Sequence, residues 1–302
     1  MPDPSPSSRL KADLTLVALT AVWGSTFLVV KDALARVDPL SFLTLRFAIG
    51  GTALALWARR RMLQRSTLAA AALLGAFLFG GFVLQTYGLV STTASRSAFI
   101  TGLSVVLVPF VSILLLRRWP SPPSPLGILL AVAGLFWLTG MGSASAGGSA
   151  TWKGDLLTTL CAVCYAFHIT LTERFAPHHP PVALVGGQLW VVSLLAALCL
   201  PWTHPHLQPS PGFIGAVLFC GLVVSAGAIL AQTWAQARTT AVRAALIYSL
   251  EPVFAAFYSV MSDREKLGLR ELGGGALIVL GVLTAEVGGW AWRRSTGPSF
   301  RG

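Results

Sequence analysis

The chain has 302 residues, of which 54% are hydrophobic and only 11% are charged, whereas an ordinary soluble domain carries about 25% charged residues. Its mean hydropathy is +0.71, and residues 175–237 contain no Asp, Glu, Lys or Arg. A surface in water needs interspersed charge and a surface in lipid does not, so the composition excludes a soluble enzyme and predicts an integral membrane protein.

The net charge of +11 would suit a nucleic-acid partner if the basic residues formed one stripe or patch. Instead they form short clusters between apolar runs, as at 59–65, 117–118 and 293–294. Such clusters orient membrane segments. We therefore expect a lipid bilayer and a small-molecule substrate as partners, and no nucleic acid; the oligomeric state is left open.

Apolar segments long enough to span a bilayer recur along the chain. A spanning helix needs roughly 20 apolar residues, and ten segments approach this length, which predicts an all-α integral membrane protein with ten transmembrane helices. The first has no small-residue cleavage site at its end, so we expect it to be retained. The predicted spans are 14–31, 39–57, 67–89, 94–116, 126–142, 154–173, 182–200, 212–235, 241–261 and 271–287.

A segment rich in Gly, Ser and Ala, residues 143–153, falls between the fifth and sixth spans and has the composition of a flexible linker. It divides the chain into five-helix units at 14–142 and 154–287, followed by a tail at 288–302. The loops on the side of the N-terminus collect 14 Lys and Arg residues, against seven on the other side. This bias predicts that both termini are cytoplasmic.

The two units are related in sequence. Residues 85–103 read QTYGLVSTTASRSAFITGL and residues 232–250 read QTWAQARTTAVRAALIYSL, with nine identities at a constant offset of 147. Because five is odd, the second unit enters the membrane from the opposite side, and the units are predicted to be inverted repeats. Exchange of conformation between such halves opens a central cavity first to one side and then to the other. The repeat therefore predicts a carrier that works by alternating access.

Short motifs in both units resemble a known family, the EamA domains of the drug/metabolite transporter superfamily, over about 14–287. The resemblance implies a carrier of the bacterial inner membrane, often an exporter of amino acids, related amines or toxic compounds, and it leaves the substrate open. The family often has Gly-Glu-Arg after its Glu-Pro helix, and Ser262-Asp263-Arg264-Glu265 stands there instead. The motifs are Trp23-Gly24-Ser25 with Phe27, Lys31, Pro39 and Arg46; 98–102 through Pro109; and 244–246 through Leu250-Glu251-Pro252.

Two charged residues lie well inside predicted spans, where a charge costs about 2.5–3.5 kcal/mol on insertion scales. Glu251 lies near the midplane, which suggests a proton-coupling or cation-recognising group; the alternative is a carboxyl bonded to a neighbouring helix beside a kink at Pro252. Arg46 is nearer the end of its span and is interpreted as a structural charge that snorkels or pairs with Asp38 or Asp32.

Polar and aromatic residues within the spans complete the candidate cavity, which is expected between the first, third, fourth, sixth, eighth and ninth spans. Gln85 and Gln232 are repeat-related, and they either contact substrate or form interhelical amide bonds. His168 either titrates or is bonded across helices, and the aromatic residues either box an amine by cation–π contact or only pack. The substrate-cavity candidates are Trp23, Gln85, Tyr87, Tyr165, His168, Trp190, Gln232, Trp234, Tyr248 and Glu251.

No enzyme, metal or cofactor function is expected. Cys161 and Cys164 form a C-x-x-C inside an apolar run without a second pair, and the chain has no nucleotide-binding P-loop motif. We predict proton-coupled or exchange transport of a small amino-acid- or amine-like metabolite, with export favoured. The alternatives are a channel-like facilitator and a non-transport membrane scaffold.

Overall fold

The computed structural model describes residues 6–58, 62, 64–91, 94–119, 124–139, 152–203, 205–262 and 268–295, and these are helical almost throughout. Most of the 143–153 linker and residues 263–265 of the motif after the Glu-Pro helix lie outside these ranges. Within them, the one extended pairing is an isolated antiparallel bridge between Val37 and Leu207. The predicted helical class is therefore confirmed.

The helices follow one another with short connections, and one π-helical segment interrupts a long helix in the second half of the chain. In order they are α1 (Pro6–Ala33), α2 (Pro39–Ala58), α3 (Arg65–Ser91), α4 (Ala94–Gly102), α5 (Ser104–Leu116), α6 (Ser124–Thr139), α7 (Trp152–Phe175), α8 (Pro181–Cys199), α9 (Pro211–Leu218), the π segment (Phe219–Gly227), α10 (Ala228–Gln236), α11 (Ala241–Tyr248), α12 (Glu251–Met261) and α13 (Leu269–Ser295).

Seven helical segments in the described ranges are long and apolar enough to cross a membrane, and each overlaps one predicted span. The other three predicted spans correspond to shorter apolar helices at Ile100–Leu116, Ser124–Trp137 and Leu272–Ala285. The count of ten spans therefore stays a prediction. The seven are Ser7–Ala33, Pro39–Ala58, Arg65–Ser91, Trp152–His178, Pro181–Trp202, Pro211–Gln236 and Ala241–Tyr258.

The last predicted span ends at residue 287, and residues 288–302 are predicted to form a cytoplasmic tail. Helix α13 continues past this point to Ser295, and the cytoplasmic location of the segment stays a prediction. Trp290 and Trp292 follow the apolar part of this helix, and Trp suits the membrane interface, where a helix can extend beyond the hydrocarbon. The first half of the segment 288–302 is therefore helical.

Two helices are broken at matching places. α4 ends at Gly102 and α5 begins at Ser104, and α11 ends at Tyr248 while α12 begins at Glu251. The residues at the breaks are Leu103 and Leu250, which the 147-residue offset pairs. The backbone N–H of each leucine donates to the carbonyl three residues earlier in the chain. Leu103 bonds to the Ile100 carbonyl at 3.2 Å and Leu250 to the Ile247 carbonyl at 3.0 Å. Pro252 accounts for the second break, since it lacks the N–H that would continue the helix.

α6 and α13 pack through glycine at two levels. A Cβ on Gly127 would lie 2.6 Å from the Gly281 carbonyl oxygen, and a Cβ on Gly134 would lie 2.6 Å from the Gly274 carbonyl oxygen. The order of the contacts makes the helices antiparallel. Only glycine lets two helix backbones approach this closely, so these glycines determine where α6 and α13 contact each other.

Candidate functional site

A cavity lies in the middle of the helical bundle, with about 100 Å³ available to the centres of water molecules. Its walls come from α1, α2, α3, both pieces of the broken pairs α4–α5 and α11–α12, α7, the π segment and α10. Both helix breaks reach the cavity, because Gly102, Ser104, Tyr248 and Glu251 all line it. The cavity therefore adjoins the two points where helical hydrogen bonding is interrupted.

Glu251 lines the cavity from the first position of α12 and is half-buried. A carboxylate at a helix N-terminus is favoured by the helix dipole. Among the described residues, none forms a hydrogen bond or ion pair with this carboxyl. The alternative expected from sequence, a hydrogen bond between this carboxyl and a neighbouring helix, is therefore not formed within the described part of the chain.

Arg46 also lines the cavity, although only 3% of its surface is exposed. Its Nε and Nη2 donate to the Ser225 hydroxyl at 3.1 and 3.0 Å. One of the alternatives suggested from sequence, an ion pair with Asp38, is not formed: the two oxygens of Asp38 accept the backbone N–H groups of Ser41 at 2.9 Å and His206 at 3.1 Å. Asp38 precedes Pro39 and caps the N-terminus of α2, a role that satisfies its charge locally.

The two repeat-related glutamines both line the cavity, in different hydrogen-bond environments. The Gln85 carbonyl accepts the Tyr165 hydroxyl at 3.2 Å, and its amide nitrogen lies 3.4 Å from the Thr101 hydroxyl. The amide of Gln232 donates to Gln236 within its own helix at 2.9 Å. Gln85 therefore connects three helices at the cavity wall, whereas Gln232 bonds along α10.

His168 lines the cavity from α7 and is bonded across helices, with Nε2 2.9 Å from the Gln188 side-chain oxygen on α8. The His168 ring and the Gln188 side chain are both buried, and the Gln188 amide nitrogen, unlike its oxygen, has no hydrogen-bond partner within the described ranges. The bond fixes the orientation of the imidazole toward α8.

Aromatic rings cover part of the cavity wall. Trp23 and Tyr248 lie with ring centroids 5.3 Å apart, and Tyr165 meets Phe82 edge to face at 5.7 Å. An added Cβ on Gly81 would collide with the Tyr165 ring, so the glycine makes room for Tyr165. These contacts hold the rings in place and leave their remaining surface toward the cavity.

Three of the ten candidates lie away from the cavity lining. Trp190 packs on Gly51, whose added Cβ would lie 3.1 Å from the indole. Trp234 stacks on Arg238, whose guanidinium carbon lies 4.3 Å from the indole centroid. Tyr87 packs on the apolar cluster around α2 and α8. The seven that the structure brings together are Trp23, Gln85, Tyr165, His168, Gln232, Tyr248 and Glu251.

Sequence reasoning did not select several polar residues that line the cavity, among them Thr26, Thr86, Thr101 and Ser104. Ser104 is the repeat counterpart of Glu251, so the 147-residue offset was the signal that would have found it. The threonines carry no such signal, because Thr hydroxyls in helices commonly bond to the preceding turn. Thr86, for example, donates to the Phe82 carbonyl at 2.6 Å.

Ion pairs join helices at the end of the bundle where α1 begins. Glu173 accepts Arg118 Nη1 at 2.7 Å and the Ala241 N–H at 2.7 Å, which connects the end of α5, the end of α7 and the start of α11. Arg243 on α11 pairs with Asp13 on α1 at 2.7 Å. We call these two pairs the ionic cluster. It lies between first-half and second-half helices.

The cysteines are all free. Cys161 is buried and Cys164 is partly buried, both on α7. No group of three His, Cys, Asp or Glu side chains in the described ranges is placed to hold a metal ion.

Seven candidate spans within the described ranges, packed around a central cavity that both polar and apolar side chains line, define a multi-pass membrane protein. Its sequence matches the profile of the EamA-like transporter family twice, over residues 10–140 and 152–285. The chain belongs to the EamA-like transporter family.

Relatives of known sequence match along almost the whole chain. An uncharacterized transporter of Archaeoglobus fulgidus is 32% identical over 92% of this chain and 87% of its own length. The uncharacterized transporter YvbV of Bacillus subtilis is 28% identical over 91% of each chain. A crystal structure with 23% sequence identity superposes with a TM-score of 0.79 and covers 96% of this chain and 100% of its own, which shows a shared fold.

Proposed function

We propose that the protein is a secondary carrier that moves a small amino-acid- or amine-like metabolite across the membrane by alternating access. The observation that carries the proposal is Glu251, an acidic side chain without a described partner in a cavity between two broken helices. Intramembrane acids that face a cavity mark ion and substrate pathways. Broken helices at such a site are typical of secondary transporters.

The proposed architecture is two inverted five-helix units, together making ten spans. It is supported by the paired breaks at Leu103 and Leu250 and by the two separate matches to the family profile. The glycine contacts of α6 and α13 give further support. At the 147-residue offset, Gly127 corresponds to Gly274 and Gly134 to Gly281, so a two-fold axis would exchange the Gly127–Gly281 contact with the Gly274–Gly134 contact.

Glu251 is proposed as the coupling group. A lone carboxylate in a low-dielectric cavity is unfavourable, and a bound proton or a cationic amine would remove the penalty. Binding of one would then alternate with binding of the other, which gives proton-coupled export or exchange. The excess of Lys and Arg on one side supports cytoplasmic termini. The bacterial inner membrane is proposed from the resemblance to EamA domains alone.

The test is counterflow in proteoliposomes with a panel of amino acids and amines, with and without a pH gradient. We expect saturable counterflow and stimulation by the gradient. Glu251→Gln should abolish the stimulation, while Asp32→Asn, which removes an exposed acid at the end of α1, should leave it unchanged. Wild-type rate and pH dependence in Glu251→Gln would refute the coupling role. Flux without saturation or counterflow would favour a channel-like facilitator, and no flux at all would favour a scaffold.

A further inference from the structure

We propose that the π segment is a switch of helical register, which exchanges conformation with residues 72–80 of α3 when the cavity changes the side to which it opens. The π segment becomes α-helical and residues 72–80 become π-helical. We call the conformation of the structure the observed state and its counterpart the opposite state. The inference rests on the proposed carrier function and inverted repeats, and it deepens them by naming residues that move.

The π segment and residues 72–80 are equivalent in sequence and differ in conformation. At the 147-residue offset, Phe219–Gly227 corresponds to 72–80, and no gap separates these segments from the paired sequences 85–103 and 232–250. Residues 72–80 are ordinary α-helix within α3, whereas Phe219–Gly227 is π-helical. π-Helical turns are rare and are frequently found at functional sites. Because inverted halves exchange conformation during transport, a difference between equivalent segments should pass from one half to the other.

The π turn changes which residues line the cavity. Along α3 the lining steps from Phe82 back to Leu78, which is four residues. Across the π segment it steps from Ile229 back to Val224, which is five residues. Phe82 and Ile229 are repeat-related, but the counterpart of Leu78 is Ser225, which lies outside the lining. The π turn therefore places Val224 at the cavity where the repeat would place Ser225.

Loss of the π turn would bring Ser225 into the cavity wall. One residue of an α-helix corresponds to a rotation of about 100° and a rise of about 1.5 Å, so the two ends of the helix would turn against each other by this amount. Ser225 would then leave Arg46, whose Nε and Nη2 donate to the serine hydroxyl at 3.1 and 3.0 Å. By the same reasoning, Phe77 would replace Leu78 when residues 72–80 become π-helical. The bonds between Arg46 and Ser225 therefore stabilise only the observed state.

A side-chain contact of the first half has no equivalent bond in the second half. The Gln85 amide nitrogen lies 3.4 Å from the Thr101 hydroxyl, and the repeat counterparts of these two residues are Gln232 and Tyr248. Gln232 donates instead to Gln236. Its side chain lies beside the Tyr248 hydroxyl, but that buried hydroxyl has no hydrogen-bond partner in the described ranges. Exchange of the halves would give Tyr248 the amide of Gln232.

The adjacent repeat pair, Thr86 and Thr233, differs in the same direction. Thr86 donates to the Phe82 carbonyl, whereas the buried Thr233 hydroxyl has no partner in the part of the chain that the structure describes. Buried hydroxyls without partners are unfavourable. Both such hydroxyls, on Tyr248 and Thr233, belong to the half that contains the π segment. This half therefore has bonds to gain in the opposite state.

The cavity of the observed state is directed away from the ionic cluster. Its lining reaches Val30 and Leu89, near the ends of α1 and α3. Asp13 of the ionic cluster lies near the start of α1, about 25 Å along the helix from Val30. The opposite state is therefore the one in which the cavity opens toward the ionic cluster.

The experiment identifies the residues that face the cavity by labelling single cysteines in proteoliposomes with 2-aminoethyl methanethiosulfonate. The four native cysteines are first replaced by alanine. A short bis-methanethiosulfonate that joins Asp13→Cys to Arg243→Cys holds the observed state, because these side chains form an ion pair there. In the cross-linked protein, Val224→Cys should react and Ser225→Cys should not. Without the cross-link the protein passes through both states, so both cysteines should react.

The first half supplies a matched pair of positions. Leu78→Cys should react with and without the cross-link, whereas Phe77→Cys should react only without it. This pair tests the same exchange if Ser225→Cys does not fold.

Two variants should shift the balance of states in opposite directions. The shift is read from labelling of Ser104→Cys by an impermeant maleimide added on the side of the ionic cluster. Ser225→Ala removes bonds made only in the observed state, so it should raise the labelling rate by about 2–10-fold, the factor that one hydrogen bond contributes. Tyr248→Phe removes a bond made only in the opposite state, so it should lower the rate by a similar factor. A structural role alone would not give opposite signs.

The outcomes separate the switch from the carrier function. If Ser225→Cys and Phe77→Cys stay unlabelled without the cross-link, or react equally with it, the π turn is a fixed extra residue and the switch is overturned. Shifts of the same sign in Ser225→Ala and Tyr248→Phe would also overturn it. Counterflow of the amino-acid and amine panel is measured in parallel on the protein without the cross-link. Counterflow with a fixed labelling pattern leaves the carrier function without the switch, and exchange of the pattern without counterflow leaves the switch and overturns the carrier function.

Discussion

Replacement of Gly134 by alanine tests the close packing of α6 and α13. The added Cβ would lie 2.6 Å from the Gly274 carbonyl oxygen and 2.7 Å from the Ile278 nitrogen, both backbone atoms that cannot rotate away. Ordinary contact begins at about 3.4 Å, so the helices must separate by roughly 0.8 Å. Overpacking of this kind costs about 1–3 kcal/mol, and the higher helix propensity of alanine offsets about 1 kcal/mol of it.

A matched control removes the propensity contribution. Gly215 is also helical, and a Cβ there would meet no atom within 4 Å, so Gly215→Ala keeps the gain without the collision. Gly134→Ala should therefore be less stable than Gly215→Ala by about 1–3 kcal/mol, which corresponds to a melting temperature lower by roughly 2–10 °C. Gly281→Ala should match Gly134→Ala, because its Cβ would lie 2.6 Å from the Gly127 carbonyl oxygen.

The assay is thermal unfolding of the purified proteins in one detergent at one heating rate, since unfolding of such proteins is often irreversible. Equal melting temperatures for Gly134→Ala and Gly215→Ala would refute the close contact. Different values for Gly134→Ala and Gly281→Ala would refute the equivalence of the two contacts and weaken the proposed two-fold relation.

Three further predictions concern the cavity and the ionic cluster. The ionic cluster joins first-half to second-half helices, so weakening it should favour opening of the cavity toward that side: Glu173→Gln should increase labelling by an impermeant maleimide of a cysteine introduced at Ser104 by about 3–10-fold, since about 1 kcal/mol of charge-assisted bonding is lost. An unchanged labelling rate would show that the cluster does not hold the cavity closed. Gly81→Ala should lower counterflow by displacing Tyr165 from Gln85, and a wild-type rate would contradict that contact. Trp23→Ala should raise the KM for substrate at least fivefold while Trp190→Ala should not, and equal effects would argue against the observed cavity lining.

Sequence periodicity and composition predicted the helical membrane class because lipid imposes a strong and local constraint: a spanning segment must be apolar and must satisfy its own backbone. Breaks inside helices were only partly predictable. Pro252 marks the break between α11 and α12, whereas the break at Leu103 has no proline beside it and was not predicted. The π segment was missed for the same reason, because Phe219–Gly227 has a composition indistinguishable from that of an uninterrupted helix.

The candidate site was predictable where the repeat or the scarcity of charge supplied a signal. Glu251 and Gln85 were found in this way, and both line the cavity. Trp190 was chosen because it is aromatic and lies within a span, and Trp234 also because the repeat pairs it with Tyr87; all three lie outside the lining. Which face of a helix meets a cavity depends on the rotation of that helix against its neighbours. The contacts of Arg46 with Ser225 join residues 179 positions apart, a distance that no local pattern encodes.

The bridge between Val37 and Leu207 ties the α1–α2 connection to the α8–α9 connection through backbone atoms. The Asp38 N–H donates to the His206 carbonyl at 3.2 Å and the Gln208 N–H to the Arg36 carbonyl at 2.9 Å. Backbone hydrogen bonds respond little to dissolved salt, whereas an ion pair such as Arg118–Glu173, whose arginine side chain is 69% exposed, weakens as the Debye length falls from about 8 Å at 0.15 M to about 3 Å at 1 M. Different interactions thus stabilise the two ends of the molecule. Raising the ionic strength weakens the ion pairs at one end and leaves the backbone hydrogen bonds at the other end unchanged.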